Sequence, residues 1–330
     1  MNNYLISIVV PCYNEAENIL ALMARVDTVI RGYNHEIILV NDGSQDYTQR
    51  QIELASSGNK HIKYLSFSRN FGHQAALKAG IDHANGDCII TIDVDMQKPP
   101  EAIPEMIALW QEGNDIVTAI SQNEGQPSIF KRWTSSGYYR VLSWLADHKI
   151  IRNGADFRLI DRKVADIIRS LQIQNIYLRG ICSWVGYKQA ITYYREEGRY
   201  AGTTKYSLVN MLNLASNGIT SFSIKPLRFA LAVGLIFAFL AFGYGLYAVI
   251  MVGVGKTITG WASVVASVVF LCGVQLIVLG VIGEYIGKIY QEVTQRPNYL
   301  VSKTNISIPS NFRLEARHNL NSTERRPAMT

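Results

Sequence analysis

Charge is sparse in this chain. Only 18% of its 330 residues are Asp, Glu, Lys or Arg, against 48% hydrophobic. Such a composition with a net charge of +6 points to a membrane surface or a phosphate-bearing ligand rather than to a nucleic-acid duplex. Cysteine is scarce too. Cys12, Cys88, Cys182 and Cys272 show no C-x-x-C spacing and no histidine at zinc-ligand spacing, so they read as buried, reduced thiols. The opening Met1-Asn2-Asn3-Tyr4 lacks a basic segment followed by an apolar one, so no secretory signal is expected and the first domain is expected to stay in the cytoplasm. No G-x-G-x-x-G follows the first apolar run, which argues against a dinucleotide-binding oxidoreductase.

What is present is an alternation of strand-like and helix-like patterns over residues 4–119, the signature of a parallel sheet covered on both faces. Strands are expected at 5–10, 36–40, 62–67, 88–92 and 116–119. A helix carries Ile19, Leu22, Met23, Val26 and Ile30, with Asn14 and Glu17 placed as a capping box. A second helix at 71–84 has Ala75, Ala76, Ala79 and Gly80 suited to close packing. Further on, a helix is expected at 129–145 and a late strand at 187–194.

Polar residues gather beyond three strand ends: Tyr13 and Glu15, then Asp42, then Asp93 and Asp95. Ligands of open α/β sheets sit outside the carboxyl ends of the strands. If the backbone stays extended through Thr91-Ile92-Asp93-Val94-Asp95-Met96-Gln97-Lys98-Pro99-Pro100, then Asp93, Asp95 and Gln97 share one face. Oxygen ligands grouped in that way suit a hard divalent cation. Each element also has a plainer reading, with Asn14 as a helix cap and Asp42-Gly43-Ser44 as a turn followed by a Ser44 cap.

The C-terminal part changes character. Residues 195–206 form a basic, aromatic, glycine-containing loop, and Leu208, Val209, Met211, Leu212, Leu214, Ala215, Gly218, Ile219 and Phe222 then share one helical face. That helix either packs on the domain or lies in a membrane interface, and its place before a membrane span favours the interface. Residues 229–255 and 257–283 are uncharged and each exceeds the ~20 residues that cross a bilayer as a helix. Lys225 and Arg228 precede the pair, Lys288, Arg296, Lys303 and further arginines follow it, and one Lys lies between. The positive-inside rule therefore puts both ends in the cytoplasm. The last thirty or so residues are polar and basic.

The ordered motifs Pro11-Cys12-Tyr13-Asn14-Glu15, Asn41-Asp42-Gly43-Ser44, Ser68-Arg69-Asn70-Phe71-Gly72, Asp93-Val94-Asp95-Met96-Gln97 and Gly154-Ala155-Asp156-Phe157-Arg158 resemble those of family 2 glycosyltransferases of the GT-A fold. More narrowly they are similar to polyprenyl-phosphate glycosyltransferases, the bactoprenol glucosyltransferase and dolichyl-phosphate mannose synthase group, from about residue 7 to 301. The resemblance implies an α/β, Rossmann-like GT-A catalytic domain at 1–205, an interfacial amphipathic helix at 206–225, two transmembrane helices at 226–283, and a juxtamembrane helix with a basic cytoplasmic tail at 284–330. It implies inverting transfer of a hexose, glucose from UDP-glucose, to an undecaprenyl-type polyprenyl phosphate at the cytoplasmic face of the plasma (inner) membrane, with Mg²⁺ or Mn²⁺ as cofactor. Pro11, Tyr13, Glu15 and Asp42 would bind the nucleoside, and Asp95 and Gln97 the metal. Asp93 would reach ribose or sugar, and Asp156 would act as base or orienting group. Arg199, Thr204 and Lys205 would hold the acceptor phosphate. Nucleic acid is not an expected partner, and homo-oligomerisation is left open. Asn41 and Lys98 depart from the family pattern at positions not expected to bind metal.

Two rivals remain at this level. A processive polysaccharide synthase would carry Gln-x-x-Arg-Trp, but Ile129 stands at the Gln position before Arg132-Trp133, and two spans are few for a polymer channel. A non-catalytic, membrane-anchored nucleotide-binding protein is the other.

Overall fold

The computed structural model describes residues 4–122, 154–171, 173, 177–195, 225–255 and 260–306. Among these residues, eight strands form one mixed sheet in the order β7-β5-β6-β4-β1-β2-β3-β8. The strands are β1 (Leu5–Cys12), β2 (Asn34–Asn41), β3 (Ile62–Phe67), β4 (Cys88–Thr91), β5 (Ile116–Ser121), β6 (Gly154–Asp161), β7 (Gln189–Tyr194) and β8 (Val301–Thr304). Helices α1 (Ile19–Val29), α2 (Thr48–Gly58), α3 (His73–His83), α4 (Ile103–Gln111), α5 (Arg162–Ser170) and α6 (Leu178–Trp184) accompany the sheet.

The sheet divides two apolar layers. Ile6, Ile8 and Val10 of β1 join the layer with α1 and α4, whereas Val9 joins the layer with α3, α5 and α6. Period-2 alternation sends successive β1 residues to opposite faces, so the strand reads as unbroken apolar sequence. On α3 the small residues matter as expected. A Cβ on Gly80 would lie 2.1 Å from Val9 Cγ1, so only glycine lets the helix approach β1 this closely.

Strands β4, β1, β2 and β3 run parallel, and β1 pairs with β2 on one side and β4 on the other. The chain order therefore reverses between β1 and β4, which opens a crevice at their carboxyl ends. β1 outlasts its expected end and runs through Pro11 to Cys12. Its pairing with β4 stops at Val9↔Thr91, so Pro11 lies beyond that partner, where a proline is tolerated. The five strands expected within residues 4–119 all run parallel, and later segments add two antiparallel strands to them. β6 lies antiparallel between β4 and β5, and β8 is antiparallel to β3.

β8 also corrects the reading of residues 301–304 as part of a polar tail. Ser302 Oγ donates to Ser66 O, Thr304 Oγ1 to Tyr64 O, and Tyr64 N donates to Asn305 Oδ1. Just before β8, the Tyr299 ring stacks on Phe67 at 5.2 Å and its hydroxyl donates to Asp82 at 2.9 Å.

Two long helices precede this strand, α7 (Lys225–Gly253) and α8 (Trp261–Val293). They contain two stretches long and apolar enough to cross a bilayer, Leu227–Tyr247 and Phe270–Val293. Phe239, Phe242, Leu276 and Ile277 are exposed along them, which is wrong for a core hairpin of a soluble protein and right for helices solvated by lipid. α8 runs past the expected span without a break. Cys272 is correspondingly exposed on α8, while the other three cysteines are buried. The expected helix at 129–145 lies outside the described residues, as does the one at 206–225 except for Lys225, which opens α7.

Gly80→Ala should destabilise the sheet domain by about 1–3 kcal/mol through overpacking against Val9. Thermal unfolding of the detergent-solubilised chain checks this. A raised midpoint, as helix propensity alone would give, contradicts the packing.

Candidate active site

The crevice is lined by loops that tie one another down. Beyond β1 the backbone turns at Asn14, which adopts φ 53°. Asn14 N donates to Ser44 Oγ at 3.0 Å and Gln45 N to Asn14 Oδ1 at 2.9 Å, while Glu15 N donates to Thr48 Oγ1 at 2.9 Å. Neither expected cap forms. α1 starts at Ile19 rather than beside Asn14, and Ser44 serves the β1 loop rather than α2, which begins at Thr48. These polar side chains spend their hydrogen bonds between loops, and so fix where Tyr13 and Glu15 stand. Tyr13 is partly exposed, and Glu15 accepts from Asn18 Nδ2.

The second loop is anchored through Asp42. Its buried carboxylate accepts from Phe71 N at 2.6 Å and Gly72 N at 2.9 Å. Burial raises its pKa more than those two amide bonds and the nearby His73 and Arg69 charges lower it. Gly43 is required here. At φ 65° its Cβ would lie 2.3 Å from the Arg69 carbonyl carbon, so only glycine allows the two loops to touch. Asn41 is occupied in the turn, donating to Gln49 Oε1 and accepting from Ser44 N.

After β4 the chain does not stay extended, and the single-face argument for Asp93, Asp95 and Gln97 fails. β4 ends at Thr91 and Met96 adopts φ 57°. What brings Asp95 and Gln97 together is an aspartate turn, with Gln97 N donating to Asp95 Oδ1 at 3.2 Å. The two residues thus stand in one turn, and a carboxylate and an amide oxygen are donors of the hard type that Mg²⁺ or Mn²⁺ takes. Among the described residues no three His, Cys, Asp or Glu side chains group as a closed metal site, so a cation there would draw further oxygens from its ligand.

Asp93 belongs to a different set. It pairs with Lys98 Nζ through one oxygen and with His73 Nε2 at 2.9 Å through the other. Antiparallel β6 brings Asp156 alongside. Thr91 pairs with Arg158, and Thr91 Oγ1 donates to Asp156 O at 2.5 Å. The Asp156 carboxylate, on a residue 5% exposed, is held by Arg179 in a two-point fork, Nε to Oδ1 at 2.8 Å and Nη2 to Oδ2 at 3.0 Å. Gln74 Nε2 adds a third contact at 3.3 Å, and His73 Nδ1 lies 3.9 Å away.

Burial alone would raise both carboxyl pKa values, but charge prevails. Arg179, then His73 and Lys98, hold Asp156 below the ordinary carboxylate range, and Lys98 and His73 hold Asp93 well below it. For His73, burial would lower the pKa, yet the Asp93 hydrogen bond and the Asp93 and Asp156 charges raise it overall.

The structure thus gathers Pro11, Tyr13, Glu15, Asp42, Asp93, Asp95, Gln97 and Asp156 at one sheet edge. Arg199, Thr204 and Lys205 lie outside the described residues. Sequence reading missed His73, Gln74 and Arg179. His73 and Gln74 directly follow Ser68-Arg69-Asn70-Phe71-Gly72, and Arg179 is a lone charge in an apolar segment. Both signals were available. Lys98 was noted only as a departure.

The Glycosyl transferase family 2 model matches residues 7–169, and that of the GtrB C-terminal hairpin matches residues 225–289. An uncharacterized glycosyltransferase of Synechocystis sp. is 42% identical over 300 residues, covering 90% of this chain and 94% of the relative. The bactoprenol glucosyl transferase of Shigella phage SfII is 41% identical over 307 residues, covering 92% and 99%. Glucosyl-3-phosphoglycerate synthase from Mycobacterium tuberculosis, in complex with Mn²⁺, uridine diphosphate and phosphoglyceric acid, is similar in structure with a TM-score of 0.48 and 16% identity, over 66% of this chain and 77% of that one.

A carboxylate whose folded pKa lies below its unfolded value of ~3.9 favours the folded state above that value, and loses the contribution as pH falls through the folded pKa. Arg179→Met removes the largest charge opposing burial at Asp156. Acid unfolding followed by tryptophan fluorescence should then begin at higher pH than in the parent protein. An unmoved acid limb contradicts the clamp.

Proposed function

The chain belongs to glycosyl transferase family 2, and on that premise we propose that it transfers glucose from UDP-glucose to a polyprenyl phosphate at the cytoplasmic face of the plasma membrane, with inversion at the anomeric carbon. One observation carries the reading. A strand-end cluster of carboxylates and cations and a pair of lipid-suited helices share one chain, and the segment leaving the second helix returns to the sheet as β8. Bactoprenol glucosyl transferases similar over nearly the whole length support the acceptor and the sugar. That similarity also leaves the non-catalytic reading without support.

Tyr13, Glu15 and Asp42 take the base and ribose, with Pro11 at the end of β1 completing the nucleoside site, and Asp93 faces ribose or sugar. Asp95 and Gln97 would hold Mg²⁺ or Mn²⁺, whose charge would offset that growing on the diphosphate leaving group. Arg199, Thr204 and Lys205 hold the acceptor phosphate. In a single displacement, a phosphate oxygen of the lipid forms the new bond to the anomeric carbon as the bond to the nucleoside diphosphate breaks. The acceptor needs little help losing a proton, because the second pKa of a phosphate monoester is ~6. Asp156, clamped by Arg179 and acidified, is a poor proton acceptor at neutral pH and acts as an orienting group.

Topology supports the same picture. β8 joins the catalytic sheet, so the exit of α8 lies on the catalytic side of the membrane. With two crossings the entry to α7 lies on that side too, in agreement with the basic residues at both ends.

Membranes containing the chain, given a panel of labelled nucleotide sugars, should pass label from UDP-glucose into the lipid fraction. Asp95→Ala should cut turnover about 10²–10³-fold, as for loss of a group stabilising transition-state charge. Asp156→Asn should lower turnover while leaving UDP affinity intact. Label confined to water-soluble product contradicts the lipid acceptor.

A further inference from the structure

Among the described residues, the carboxylates Asp93 and Asp156 are each already matched by a permanent cation, Lys98 and Arg179 respectively. Lys98 sits between the Asp95–Gln97 turn and the 3₁₀ turn at Pro100–Ala102, with a side chain only 11% exposed. Its partner is not sealed off. The Asp93 side chain is 27% exposed and His73 beside it is 43% exposed, so the pair stands at the crevice wall rather than in the core. The Lys98 charge is felt across the cluster, at His73 and at Asp156.

We propose that Lys98 is a donor-binding cation built into the turn, one that meets the nucleoside diphosphate and makes its binding less dependent on a divalent ion. The inference rests on the donor reading above and extends it to a residue that the family resemblance left without a role. Two consequences follow from charge alone. An ammonium on the residue after Gln97, paired with Asp93, offsets the carboxylate charge that would otherwise repel the diphosphate, even when no metal is bound. The same ammonium repels a divalent cation and occupies Asp93, a carboxylate that could otherwise lend an oxygen to it. Lys98 therefore favours the nucleotide and disfavours free metal.

The test uses the full-length chain in detergent micelles, with UDP and Mn²⁺ as probes. UDP binding is measured calorimetrically in EDTA and in Mn²⁺, and Mn²⁺ binding without nucleotide by electron paramagnetic resonance. The parent chain should retain measurable UDP binding in EDTA. Lys98→Met should lose about tenfold of that binding, the effect of one charge in a partly solvated site, and should lose less in Mn²⁺. Without nucleotide it should bind Mn²⁺ several-fold more tightly. Lys98→Arg, which keeps the charge, should restore metal-free UDP binding, and Lys98→Gln repeats the neutral arm should the methionine variant fail to fold. Equal metal-free UDP affinity in the parent and a neutral variant overturns the role of Lys98. A parent chain that binds UDP only with metal also overturns it, and leaves the donor reading standing. A parent chain that binds UDP in neither condition overturns both.

Discussion

A carboxylate carried into the wall of an α/β crevice must be protonated or paired, because burial disfavours its charge. Asp156 meets that constraint through Arg179, which grips both oxygens from α6 while Gln74 approaches from α3. The pairing joins two helices to β6 and places the carboxylate beside the exit of β4. Asp93 meets the same constraint through Lys98 and His73, and His73 stands next to both acids. With the charges arranged this way, the crevice holds its negative groups in fixed positions and presents Asp95 and Gln97 in a turn of their own. Pairing Asp156 with Arg179 also bears on chemistry. A carboxylate stabilised as an anion is suited to orienting a partner and poorly suited to taking a proton.

The same helix links the site to the membrane segment. α3 begins at His73 and Gln74 and ends near Asp82, which accepts from Tyr299 just beyond α8. Tyr299 also stacks on Phe67, and β8 completes the sheet edge beside β3. The long apolar hairpin is therefore bracketed by the domain, with the sheet continuing on its far side. A lipid-borne acceptor reaching the crevice would be served by a domain tied to the apolar hairpin through β8.

Much of the fold was legible because the core strands are short, apolar and bounded by turn residues. The Gly80 approach to β1 could be read from small residues on one helical face. Strand direction could not be read for β6, since nothing local in Gly154-Ala155-Asp156-Phe157-Arg158 separates antiparallel from parallel entry, and residues 301–304 carry too little apolar pattern to announce β8. At the site, strand-end acids could be located from their positions after apolar runs. Their partners came from elsewhere in the chain. Arg179 and His73 reach Asp156 only through tertiary contact, and the extended run assumed for Asp93, Asp95 and Gln97 was broken by the positive φ of Met96. Caps assigned to Asn14 and Ser44 failed for a related reason, because each side chain found a partner on a neighbouring loop.

The central claim is that the turn at Asp95 and Gln97, beside the clamped acids, receives the diphosphate end of a sugar nucleotide together with its metal. The most direct measurement is the anomalous scattering of Mn²⁺ in crystals of the chain grown with UDP. The account predicts a single strong peak within bonding distance of Asp95 and Gln97 oxygens, with diphosphate density completing its coordination. A peak away from both residues, or UDP lying outside the crevice between β1 and β4, would contradict it.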